Sequence, residues 1–154
     1  MLKRSTLILL AAGGSLALML GALAFQYIGQ MPPCTLCIWQ RYPHVLAILI
    51  GALALAVSGP ALPFLGALSA LATAGVALFH TGVERKWWDG LQSCSAPDIS
   101  ALSPQELLEA INNAPIVQCD QIPWQLFGLS MANWNAVISL GLAVLWVMAA
   151  RSKA

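Results

Sequence analysis

The chain has 154 residues, of which 59% are hydrophobic and 8% charged, with a formal net charge of +1 and a mean hydropathy of +0.77. That leaves too little polar surface to coat a soluble globule of this size, so composition excludes a water-soluble domain and points to an integral membrane protein. No nucleic-acid partner and no metal are expected.

A hydrocarbon core about 30 Å thick takes roughly 20 apolar residues of helix to cross. The first such stretch runs from about Ser5 to Ile28, preceded by Lys3 and Arg4. With Ala22-Leu23-Ala24 near its end it mimics a cleavable secretory signal, but the apolar run is longer than such signals use, and it is expected to remain as a span.

A loop over residues 29–41 follows, carrying Pro33-Cys34-Thr35-Leu36-Cys37. A Cys-x-x-Cys ring closes too little chain to constrain the unfolded state much, whereas the same spacing recurs in redox dithiols with shifted thiol pKa values. Redox work is the favoured reading of Cys34 and Cys37, with a structural disulfide as the alternative. If Thr35 to Arg41 is helical, Arg41 faces the same side as Cys37 at the mouth of the second span. There its guanidinium either favours a thiolate and donates to a carbonyl ligand, or snorkels to a lipid phosphate.

The second span covers about Tyr42 to Ser58, with Thr35–Arg41 able to add turns and Pro43 as first-turn residue or kink. His44 has no evident partner in the sequence and reads as structural. Ser58-Gly59-Pro60-Ala61 is a short turn, so the third span, about Ala61 to Gly82, returns antiparallel beside the second. His80, near its end, is placed either to meet a ligand carbonyl or carry a proton, or to sit satisfied at the interface.

A long polar segment over residues 83–130 holds the remaining cysteines, Cys94 and Cys119. For this pair, redox and structural roles stand level. A four-thiolate zinc site is disfavoured because zinc ribbons use two close cysteine pairs. Asp120 disfavours a thiolate at its neighbour Cys119. Ser103-Pro104-Gln105-Glu106 reads as a capping box, with Leu102 and Leu107 spaced for a hydrophobic staple, which predicts a helix ending near Asn113 before Pro115. Leu107, Leu108 and Ile111 give it a short apolar stripe, suited either to the membrane surface or to packing within the loop. The fourth span runs from about Met131 to Ala150, followed by Arg151 and Lys153.

Basic residues at both ends of an even number of spans place both termini in the cytoplasm. Trp39, Trp87, Trp88, Trp124 and Trp134 fall near the opposite interface, where amphipathic rings prefer to sit, and only Trp146 lies toward the inner end. All four cysteines therefore face outside, which for a bacterial inner membrane is the oxidising periplasm. The expected fold is all-α: one four-helix transmembrane domain with two periplasmic loops, the second carrying a short amphipathic helix.

Taken together, Pro33-Cys34-Thr35-Leu36-Cys37-Ile38-Trp39-Gln40-Arg41, His80-Thr81, Cys94, Cys119 and Trp124-Gln125-Leu126-Phe127-Gly128-Leu129-Ser130-Met131 resemble the disulfide bond formation protein B (DsbB) family over nearly the whole chain. The resemblance implies a membrane oxidoreductase that reoxidises a soluble periplasmic thiol oxidase of the DsbA type. Electrons then pass to a membrane quinone, ubiquinone or menaquinone. By position, Cys34 and Cys37 match the pair beside the quinone, with Cys37 engaging its ring, while Arg41 and His80 match pocket residues. Cys94 and Cys119 match the pair that exchanges with the soluble partner, with Cys94 forming the mixed disulfide. The segment 83–98, rich in Glu84, Arg85, Lys86, Trp87 and Trp88, departs from the family pattern and leaves the docking surface open. Two other classes compete: a vitamin K epoxide reductase-like enzyme, whose Cys-x-x-Cys would come late in the helical core, and a non-enzymatic four-helix membrane protein with structural disulfides, which leaves Arg41 unexplained.

Overall fold

The computed structural model describes residues 2–91, 94, 103–113 and 117–152. It contains four helices long and apolar enough to cross a membrane: α1 (Arg4–Tyr27), α2 (Thr35–Ala56), α3 (Ala61–Glu84) and α5 (Met131–Arg151), with a short α4 (Pro104–Asn113) before the last. At about 1.5 Å per residue each long helix spans roughly 30–36 Å, the thickness of a hydrocarbon core. Each packs against two neighbours, in the cyclic order α1, α2, α3, α5.

Lipid tails are as apolar as leucine, so a membrane bundle is held by close packing of small residues and by polar contacts rather than by the hydrophobic effect. The core follows that rule. Ala11, Ala47, Ala54, Ala67, Ala70, Ala74, Ala77, Ala136, Ala143 and Ala149 are buried, while Leu9, Leu20, Leu49, Leu53 and Leu68 point outward. Trp146 is the large exception, fully buried toward the end of the bundle where α1 starts and α5 ends, and it packs where Gly66 leaves room: a Cβ there would lie 2.6–2.7 Å from the indole ring. At the same end Arg4 Nη1 and Nη2 donate to the carbonyls of Ala54 (3.1 Å), Val57 (3.3 Å) and Gly59 (2.9 Å), tying α1 to the α2–α3 turn.

Two features go beyond the sequence reading, and a third matches it. Helix α2 starts at Thr35, not Tyr42, which makes Pro43 an interior residue; Ser69 Oγ of α3 donates to its carbonyl at 2.8 Å. Gln125–Leu126 and Leu129–Ser130 form a two-stranded hairpin, β1 and β2, around Phe127 (φ 53°) and Gly128 (φ 74°). Positive φ at both central positions is the geometry of a two-residue type I′ loop, and the hairpin leads directly into α5. Finally, Ser103 and Glu106 form the expected reciprocal cap of α4, with Ser103 N–H donating to Glu106 Oε2 at 2.8 Å and Glu106 N–H to Ser103 Oγ at 3.4 Å. Leu102 of the predicted staple lies outside the described residues, as do the side chains of Leu107 and Ile111; Leu108 is exposed.

Candidate redox site

The site is built at the end of the bundle where α2 begins and α3 ends. Pro32 and Pro33 hold the chain extended into Cys34, the N-cap of α2, whose Sγ accepts the Cys37 N–H at 3.2 Å. A cysteine thus satisfies one of the N–H groups a helix start leaves open. The hydrogen bond with the Cys37 side chain, together with burial, pushes the Cys34 thiol above its ordinary range. With Thr35 onward helical, Cys37, Arg41 and His44 recur at one-turn spacing on one face. All three line one cavity, and the Arg41 guanidinium donates to Gln26 Oε1 of α1 at 2.8 Å.

His80, on the last turns of α3, joins the two cysteine pairs. Its Nε2 lies 3.7 Å from Cys34 Sγ and 3.1 Å from the Cys119 carbonyl oxygen, and its Nδ1 lies 2.9 Å from Gln40 Nε2. Cys34, Cys37 and His80 present ligand-type atoms within 4.8 Å of one another. Cys94 and Cys119 form a disulfide, whereas Cys34 and Cys37 are free thiols, which selects one of the three connectivities open in the sequence. The disulfide is fully buried and packs in one cluster with Cys34, Leu36 and Val83, while Cys37 sits at the cluster's edge, half-buried.

Five polar residues that carried little weight in the sequence stand in or beside this site. Glu84 is buried at the end of α3, accepts the Ser130 hydroxyl, and has Oε1 3.9 Å from His80 Nε2. Gln40, His44, Thr73 and Asn135 form a layer between α2, α3 and α5. In it Asn135 Nδ2 donates to Gln40 Oε1 at 2.6 Å, and His44 Nε2 contacts Asn135 Oδ1 at 2.9 Å and Thr73 Oγ1 at 3.3 Å. His44, with no visible partner in the sequence, is therefore a member of this network. The available signal was the depth of these residues: a polar side chain inside a span is expensive and by default marks function.

The cavity measures about 660 Å³ and runs from this layer to the loops. Its walls include Phe25, Met31, Trp124 and Trp134, with Cys37, Arg41 and His80 among the polar groups. Large apolar walls with a few convergent polar groups are the usual form of a small-molecule site.

A multi-pass membrane bundle that sets a free dithiol, a disulfide and a polar-edged apolar cavity against one another is a membrane thiol–disulfide protein. The comparisons sharpen that class. A family model described as disulfide bond formation protein DsbB matches residues 3–149, and the chain belongs to that family. Relatives named disulfide bond formation protein B include those of Xanthomonas oryzae pv. oryzae (strain MAFF 311018), 36% identical over 87% of this chain and 84% of its own. Those of Shewanella sp. (strain MR-4), 33% over 88% and 81%, and Hahella chejuensis, 31% over 83% and 82%, are similar. No solved structure matches the chain significantly. The family carries a disulfide-forming oxidoreductase role on a multi-pass membrane protein.

Proposed function

We propose that the protein takes electrons from a soluble periplasmic dithiol partner of the DsbA type at Cys94–Cys119, passes them to Cys34–Cys37, and delivers them to a quinone in the cavity. The observation that carries this reading is the packing of the Cys94–Cys119 disulfide against Cys34, with His80 Nε2 within reach of both, while Cys37 lines the cavity.

The steps balance. A partner thiolate attacks Cys94, the bond to Cys119 breaks, and Cys119 leaves as a thiolate; the partner's second thiol then displaces Cys94, so the partner becomes a disulfide and this chain a dithiol. That dithiol passes its two electrons to an oxidised Cys34–Cys37 pair by the same exchange, with Cys34 as the buried member that meets it. His80, its Nε2 directed at the Cys119 carbonyl and Cys34 Sγ, positions the two pairs for exchange. Cys37 and Arg41 are the groups presented to the cavity.

The cavity residues fit a quinone: flat aromatic walls for the ring, a guanidinium for a carbonyl oxygen and a thiol at the edge. When bound, such a group supplies a two-electron, two-proton sink. Refilling a strongly oxidising partner disulfide requires a sink of this kind, since each 30 mV of uphill transfer costs about 1.4 kcal/mol for two electrons. In this reading the protein sits in a bacterial inner membrane, with both termini cytoplasmic and residues 29–41 and 83–130 periplasmic.

The test mixes purified protein, ubiquinone or menaquinone, and a reduced DsbA-type protein without oxygen, and follows quinone absorbance. Quinone should be consumed one-for-one with partner dithiol, and Cys37→Ser should stop turnover. Undiminished turnover in Cys37→Ser, or no consumption in the parent, contradicts the proposal.

A further inference from the structure

We propose that His44 Nδ1 accepts a hydrogen bond from a ring hydroxyl in the cavity, so that the site binds the hydroxylated form of its ligand more tightly than a form without that proton. This rests on the cavity being a quinone site, and it assigns a role to a residue two helical turns below Cys37, roughly 10 Å deeper along α2.

A chain of hydrogen bonds, its direction set by groups that can only accept, fixes the His44 tautomer. Gln40 Nε2 donates to the Leu36 carbonyl at 3.3 Å, which fixes the Gln40 amide and leaves its Oε1 to receive Asn135 Nδ2 at 2.6 Å. Asn135 Oδ1 is then the atom facing His44 Nε2 at 2.9 Å and receiving Ser139 Oγ at 3.1 Å. Thr73 gives its hydroxyl proton to the Gln40 carbonyl at 3.0 Å, so its oxygen also faces His44 Nε2 as an acceptor, at 3.3 Å. An amide oxygen cannot donate. His44 Nε2 therefore carries the proton, and in a neutral imidazole Nδ1 is left with a bare lone pair.

That lone pair has no partner among the described residues, although His44 is only 4% exposed. His80 makes the contrast. Gln40 Nε2 donates to its Nδ1 at 2.9 Å, so it has the same tautomer with its acceptor satisfied. His44 lines the cavity with its acceptor unsatisfied. A buried acceptor without a donor is costly, and a ring O–H relieves it. A carbonyl or methoxy oxygen brings no proton and leaves the deficit in place. Reduction of a quinone by two electrons and two protons produces such an O–H, so His44 favours the product of the proposed reaction in its site.

The test uses the full-length protein in nanodiscs with histidine labelled by nitrogen-15, titrated with an alkylphenol and with its methyl ether, neither of which turns over. One additional satisfied hydrogen bond should make the phenol bind about five- to tenfold more tightly than the ether. The His44 Nδ1 resonance should move toward the hydrogen-bonded acceptor range with the phenol alone. His44→Phe should bring the phenol down to the affinity of the ether, while Ser139→Ala, which touches the same Asn135 but leaves Nδ1 intact, should keep the preference. Equal affinities and an unmoved resonance in the parent protein overturn the assignment of His44 while leaving the quinone reading standing. Failure of both rings to bind overturns both.

Discussion

Asn135→Leu removes the centre of the polar layer while nearly conserving side-chain volume, so it isolates hydrogen bonding from packing. The Asn135 amide bonds Gln40 (2.6 Å) and His44 (2.9 Å) on α2, Thr73 (3.3 Å) on α3 and Ser139 (3.1 Å) on its own helix. Interhelical hydrogen bonds in membranes contribute about 0.6 kcal/mol each on average. Three of them amount to roughly 2 kcal/mol, and the Gln40 oxygen left unpaired raises the loss to about 2–3 kcal/mol, while the His44 N–H keeps Thr73 Oγ1 at 3.3 Å. Ser139→Ala removes one bond within a helix and should cost less than about 1 kcal/mol. Reversible unfolding in mixed detergent micelles, followed by circular dichroism, measures both. An Asn135→Leu protein as stable as its parent would refute the claim that this layer helps hold α2, α3 and α5 together.

Two further outcomes follow from packing and exposure. Gly66→Leu drives a side chain into the Trp146 indole and should lower stability by about 1–3 kcal/mol in a thermal melt, whereas Gly75→Ala, with open space at its Cβ, should leave the melt unchanged. In the protein reduced only at Cys34 and Cys37, iodoacetamide should modify Cys37 first, because Cys34 is 5% exposed and its thiol is held protonated by the neighbouring Cys37 side chain and by burial. Peptide mass spectrometry reads the order, and faster labelling of Cys34 would contradict it.

Much of the fold was legible because a membrane span is a strong signal: four apolar runs of sufficient length gave the four helices, and Ser103 with Glu106 gave the cap of α4. The start of α2 was harder to read. Pro43 suggests a boundary, since proline forfeits an interior hydrogen bond, yet the Cys34 cap and the Ser69 contact to the Pro43 carbonyl keep the helix continuous through it. The hairpin at Phe127-Gly128 was missed because Phe127 adopts a conformation that aromatic residues rarely take. At the site, Cys37 and Arg41 line one cavity from one face of α2, which their spacing suggested, since helical periodicity sets which residues share a face; His80 comes from α3, and no spacing within one helix could place it there. The pairing of Cys94 with Cys119, the burial of Glu84 and the partners of His44 depend on contacts between elements distant in the chain. No local pattern encodes those contacts.

Thiol trapping without turnover tests the electron path most directly. The protein, oxidised at both cysteine pairs and free of quinone, is mixed with one equivalent of reduced DsbA-type partner, quenched with a mass-tagged alkylating agent, and mapped cysteine by cysteine, before and after quinone is added. Two of the four cysteines should become taggable without quinone and return to disulfide when it is added, with quinol formed in equal amount. If all four remain oxidised in the presence of reduced partner, or if tagging persists after quinone is added, the relay between the two pairs and the cavity is contradicted.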